Sequence, residues 1–166
     1  MTAPAAYSAP LDLVTTAVLE LLRGAELAVF DARYAEVPEL VEDNAAYAAD
    51  PLQPVFPYGV LYRIAGGSTD PFPSLGGNPL EVTVPYQVTT VSDLRNQCEA
   101  AGRRFRDRLL ARDPDGGWLV PMAMPAGWRD IDRWPDDVLP GVDQSGQSPS
   151  AVFSLPFRFY ITVAPT

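Results

Sequence analysis

Histidine and lysine are both absent from the 166 residues of this chain, and there is one cysteine, Cys98. Each absence closes a route. Without histidine, neither a Ser-His-Asp nor a Cys-His nucleophile can be built, and the commonest side-chain metal ligand is missing. Without lysine, a phosphate loop of the GxxxxGK[ST] kind is excluded. The paired glycines at 66–67, 76–77 and 116–117 lack GxGxxG spacing as well, which leaves them as turn residues. A single cysteine makes no internal disulfide, so stability has to come from packing or assembly. Long apolar runs are also missing, and nothing approaches the roughly 18 residues that a membrane span needs. The opening MTAPAAY has neither the positive nor the apolar region of a signal peptide. A soluble protein without membrane contact, and not secreted, is expected.

The charge that is present is lopsided. All twelve basic residues are arginine, against 21 acids, for a net charge of −9. That balance disfavours a protein that coats nucleic acid, because neutralising phosphates takes clustered positive charge. With 47% hydrophobic residues the chain is long enough for one packed domain, while 18 prolines and 12 glycines predict long connections within it.

Along the chain, residues 1–9 are small and polar and predict a flexible arm. Leu11, Val14, Val18, Leu21, Leu22 and Ala25 recur on one face of a first helix ending near Gly24. "LAVFDARY" (27–34) suits a short strand, and the acidic, aperiodic 36–57 a loop. "YGVLYRI" from Tyr58 reads as a strand leading into a turn-rich hairpin tip at 66–79. The strand after it alternates, with Val82, Val84, Tyr86 and Val88 on one face and Glu81, Thr83, Gln87 and Thr89 on the other. Pro85 within it points to a sheet edge or a bulge. Ser92 is placed to cap a second helix whose apolar stripe is Leu94, Cys98, Ala101, Phe105 and Leu109, ending at Asp113-Pro114. Residues 113–150 read as an irregular inserted segment in which "WLVPMAM" is the one strand-like run. Phe153, Leu155, Phe157, Phe159, Ile161 and Val163 then alternate along a closing strand. The expected fold is a single α+β domain over 1–166: a mostly antiparallel sheet packed against two helices, with long loops.

Chemistry is sparse. Cys98 lies on the apolar stripe and reads as a buried structural thiol, since no histidine can activate it. The acid pairs Asp130/Asp132 and Asp136/Asp137 could serve as general acid and base or hold a hard cation, but they lack any ligand spacing and read more simply as solvated loop. No catalytic residue, cofactor or metal is expected. The second helix is different. Residues 93–112 hold six arginines (95, 103, 104, 106, 108, 112) and three acids (Asp93, Glu99, Asp107), a local charge of +3 that leaves −12 for the rest of the chain. Glu99–Arg103 and Arg103–Asp107 have i,i+4 spacing for ion pairs. A solvated face is one reading. A subunit interface is the other, with Arg95, Arg103, Arg104, Arg108 and Arg112 meeting the acidic surface of a neighbouring copy, as in a head-to-tail ring. Trp118, Trp128 and Trp134 read as core or as anchors for a partner.

The layout of "LVTTAVLELLRG", "FPYGVLYRI", "LEVTVPYQVTTVSDLRNQCEAAGRRFRDRLL" and the closing strand resembles the tail terminator (tail completion) proteins of long-tailed bacteriophages, particularly those infecting actinobacteria. The resemblance leaves 36–56 and 113–150 unassigned. It implies a virion protein, made in the host cytoplasm, that forms a homo-oligomeric ring, usually a hexamer, on the end of the tail tube. Such a ring stops polymerisation of the tail tube protein and presents the surface joined by head-tail connector (neck) proteins. DNA would pass through its lumen without specific binding, which an acidic lining favours. Three alternatives stay open: a head-completion or neck adaptor ring, a small-molecule binding module using the tryptophan-rich segment, and a hydrolase built on Asp130/Asp132.

Overall fold

The computed structural model describes residues 11–32, 56–64, 81–136, 143–145 and 152–166. Within them are two helices, α1 (Leu11–Arg23) and α2 (Arg95–Leu110). The strands are β1 (Ala28–Asp31), β2 (Tyr58–Arg63), β3 (Val82–Ser92), β4 (Trp128–Pro135), β5 (Asp143–Ser145) and β6 (Val152–Pro165). They form one sheet in the order β1-β2-β3-β6-β4, with β5 sharing with β4 the outer side of β6. Only the β1–β2 pair is parallel. The fold is α+β, a mostly antiparallel sheet with two helices on one face.

Strand β3 is the spine of the sheet. Its strict alternation buries Val82, Val84, Tyr86, Val88, Thr90 and Ser92 on the helix side. It pairs along its whole length with β6, from Val82↔Val163 to Ser92↔Phe153. Cross-strand partners share a face, so Phe157, Phe159, Ile161 and Val163 of β6 join the same core, where the Tyr86 and Phe159 rings stack. Phe153 and Leu155, expected on that face, are only half-buried. Helix α1 buries Val14, Ala17, Val18, Leu21 and Leu22 against it. Two polar contacts fix its seat: the Thr15 hydroxyl bonds the Tyr86 hydroxyl at 3.1 Å, and Arg63 pairs with Asp12 at 3.2 Å. The chain leaves α1 through Glu26, whose φ of 60° is left-handed, and enters β1.

Pro85 sits within the central strand rather than at an edge or a bulge. It is tolerated because β2 ends opposite it: the last pair is Arg63↔Tyr86, and the Pro85 carbonyl accepts from the Ile64 N–H just beyond the strand. The position that lacks a donor therefore faces the end of its neighbour. Ser92 is likewise not the helix cap but the last residue of β3. Its hydroxyl accepts from the Leu94 N–H, and α2 starts a turn later with Leu94 half exposed instead of on the buried stripe.

The buried stripe of α2 is Cys98, Ala101, Gly102, Phe105 and Leu109. Cys98 is fully buried, with Sγ donating to the Thr90 carbonyl at 3.4 Å and the Phe153 carbonyl at 3.6 Å. Burial, with a smaller contribution from Glu99, pushes the thiol up to about 11. Because the thiolate is the reacting species, the native protein should take up iodoacetamide at pH 8 far more slowly than the same chain in guanidinium. Equal labelling rates in the two states would contradict this placement.

The clearest departure from expectation is in 113–150. "WLVPMAM" forms no strand, only an isolated bridge between Trp118 and Arg112. The strand lies further on, at Trp128–Pro135, in residues expected to be irregular, and β5 adds a second. The 1–9 arm, the 66–79 tip and most of the 36–57 loop lie outside the described residues.

Candidate functional site

Three groups of residues come forward from the sequence: the α2 arginines, the acid pairs and the tryptophans. The fold sorts each of them into committed and uncommitted members.

Arg108 and Arg112 are committed within the subunit. The Arg108 Nε–H donates to the Leu21 carbonyl at the end of α1, and its guanidinium fills the space that a β-carbon at Gly24 would need. It ties the two helices together, and a cation at the carbonyl end of α1 also suits the helix dipole. Arg112 bonds the Gly116 carbonyl at 3.0 Å, pairs with Asp132 at 2.8 Å and lies over the Trp118 ring at 3.5 Å. Arg95 pairs with Glu99 at 3.0 Å, one turn along the exposed helix, so Glu99 faces back to Arg95 rather than on to Arg103. Neither i,i+4 pair anticipated for Arg103 forms. Arg103, Arg104 and Arg106 are exposed and have no ion-pair partner among the described residues. They form the free positive face of α2.

The acid pair Asp130/Asp132, which a regular pleat would keep on one face, is split by a bulge. A bulge at Ile131 shifts the β4–β6 register, so that Asp130, opposite Val163, faces the core while Asp132, opposite Thr162, faces away from it. Each carboxylate is held by a different arginine. Asp130 is 9% exposed and meets Arg133, itself 0% exposed, at 2.6 Å. Burial pushes the Asp130 carboxyl up, opposed by the hydrogen bond and charge of Arg133. Arg133 also donates to the Leu109 carbonyl at 3.3 Å and the Val120 carbonyl at 3.1 Å. It thereby joins β4, the end of α2 and the segment between them. Among the described residues no group of three or more His, Cys, Asp or Glu is placed to hold a metal ion. Asp136 is described, but its neighbour Asp137 is not, so that pair lies partly outside the described residues.

The tryptophans divide similarly. The Trp118 ring is in contact with the guanidinium groups of both Arg112 and Arg133, at 3.5 and 4.6 Å from its centre. Trp128 packs partly buried against the core. Both hold the 113–127 segment and β4 in place. Trp134 alone is exposed, stacked on Tyr160 with ring centres 5.6 Å apart. On the face of the sheet turned away from the helices, register places two adjacent rows, Tyr62–Gln87–Arg158 and Pro85–Tyr160–Trp134. Arg158 bonds Gln87 at 3.1 Å, and Tyr62 is 43% exposed. Sequence reasoning picked out Trp134 but missed Tyr62 and Tyr160. Their signal was the phase of the alternation in β2 and β6, which sets them opposite the core residues.

No protein-family model matches the chain, and no curated protein matches its sequence. Among solved structures, it is similar to a chain from the virion of a native gene transfer agent particle. That match has a TM-score of 0.50 at 15% identity and covers 98% of this chain and 99% of the other. At that identity the likeness is one of fold, and it runs from end to end.

Proposed function

We propose that this chain is a structural protein of a phage-like virion, and specifically a ring that caps the end of the tail tube, stops its growth and offers the surface for head joining. The observation that carries the reading is the end-to-end fold likeness to a chain of a virion particle, covering 98% and 99% of the two chains. Composition supports it. A chain of net charge −9 can surround a passage for DNA without holding the phosphate backbone. Within such a ring, Arg103 and Arg104 of the candidate interface, together with Arg106, are the arginines of α2 that have no ion-pair partner among the described residues and can meet a neighbour. Trp134 is the tryptophan free to meet the tail tube protein or a neck protein.

A neck adaptor ring is the second reading, because a virion fold and an exposed basic helix suit it equally. Adding the purified protein to tail tube protein during polymerisation separates the two. A terminator shortens tubes and sits at one end of each, whereas an adaptor leaves their lengths unchanged and binds the portal. The hydrolase reading loses ground because both carboxylates it needs are held by arginines. The ligand-module reading loses ground because Trp118 and Trp128 are enclosed by their own chain.

A further inference from the structure

The free arginines of α2 raise the question of what covers them. Arg103, Arg104 and Arg106 are exposed on one helix, and no described acid approaches them closely enough for an ion pair. The nearby acids do little to change this: Glu99 is engaged by Arg95, which leaves Asp107 as the remaining acid of the helix. Elsewhere Asp12 pairs with Arg63, Glu20 with Arg23, Asp132 with Arg112 and Asp130 with Arg133, and the other described acids are scattered singly or in twos along the chain. The densest unbalanced negative charge in the sequence is the run 36–50, "EVPELVEDNAAYAAD". It holds Glu36, Glu39, Glu42, Asp43 and Asp50 and no arginine, so it carries −5 of the −12 found outside α2 and its flanks.

We infer that the positive face of α2 docks the acidic run 36–50 of a second copy of this chain, a head-to-tail contact between two different patches. The inference rests on the ring reading above and names the two surfaces that join. Charge complementarity is its basis: three unpaired guanidinium groups meet five carboxylates in a chain that is otherwise acidic and self-repelling. Heterologous contacts of this kind close into rings when the rotation allows. Opposite potentials across such a contact fix register and speed encounter, while like charges brought together there are strongly unfavourable. The contact should therefore be salt-sensitive, because exposed pairs are screened over a Debye length.

A charge swap between copies tests it. One variant carries R103E, R104E and R106E; the other carries E39R, E42R and D43R. Circular dichroism and thermal melting establish that each folds, which substitutions on an exposed helix face should allow. Mass is then read by light scattering at low salt, in the presence of tail tube ends if the wild type needs them to assemble. Each variant alone should fail to assemble where the wild type does. An equimolar mixture should recover the assembled mass, because the reversed helix of one variant meets the reversed run of the other around an alternating ring. Recovery in the mixture supports the inter-copy contact. Failure of the mixture, or undiminished assembly of either variant alone, overturns it while leaving the ring reading intact. A wild type that never assembles, alone or on tubes, overturns both.

Discussion

Replacing Arg133 by methionine should destabilise the protein by about 3–5 kcal/mol, the cost of leaving a buried charge without its partner. Asp130 is the charge in question, 9% exposed and without another partner for its second oxygen. The same substitution also removes donors from the Leu109 and Val120 carbonyls, so the end of α2 and the segment leading to β4 lose their shared anchor. For a chain of this size a loss of that order lowers the melting temperature by roughly 2–4 °C per kcal/mol. The informative variant is the double replacement, Asp130→Leu with Arg133→Met. Removing both ions replaces a desolvated pair with apolar volume, which is often neutral or stabilising. The double variant should regain most of the stability lost by the single, with a residual cost of about 1–3 kcal/mol for the carbonyls left without donors. A double variant as unstable as R133M would show that the ion pair is not what holds β4.

Phe105→Ala should cost a similar amount, about 3–5 kcal/mol, for a different reason. Phe105 is fully buried in the core, its ring reaching from α2 to Gly59 of β2. Its ring lies 2.8 Å from where a β-carbon of Gly59 would be, so the glycine and the phenylalanine divide one space between them. Truncating the ring opens a cavity against Gly59 and Val88. Gly59→Ala is the converse, overpacking the same site at about 1–3 kcal/mol. Because the two positions share a volume, G59A combined with F105L should cost less than the sum of the single changes. Additive costs in denaturant melts would contradict this description of the contact.

How much of this was legible in the sequence follows the apolar periodicity closely. Val82 to Thr89 and Phe157 to Val163 alternate without interruption, and their phase in the sequence puts the right face inward, whereas Ser92 reads as a helix cap and is the last residue of β3. The 3.6-residue stripes of α1 and α2 were equally plain, because each buries a continuous row against a single sheet. Strand β4 was not legible. Its inward positions are Trp128, Asp130 and Arg133, two of them charged, and the bulge at Ile131 breaks the period between them. The ion pair that allows these side chains to be buried is a tertiary contact, and no local pattern announces it. Pro85 misled for a related reason: its tolerance depends on where β2 ends, a fact about a neighbouring strand.

The candidate site was half legible. The concentration of arginine on α2 was apparent, but composition could not distinguish Arg108 and Arg112, which bind their own chain, from Arg103, Arg104 and Arg106, which have no ion-pair partner among the described residues. Reversing Arg108 would disturb the joint between α1 and α2 rather than a subunit interface, since its partner is the Leu21 carbonyl. The tryptophans show the same limit. Trp118 lies in a proline- and glycine-rich stretch that looked free, yet it is in contact with two guanidinium groups whose owners lie on either side of it in sequence.

The central claim is that this protein works by assembling, and the most direct measurement is its mass and shape in solution. Light scattering and negative-stain microscopy should be applied to the purified protein alone and after mixing with tail tubes. A closed ring is expected, either free or seated on one end of each tube, that dissociates as salt is raised. A particle that stays monomeric at every salt concentration and leaves tube ends bare would contradict it.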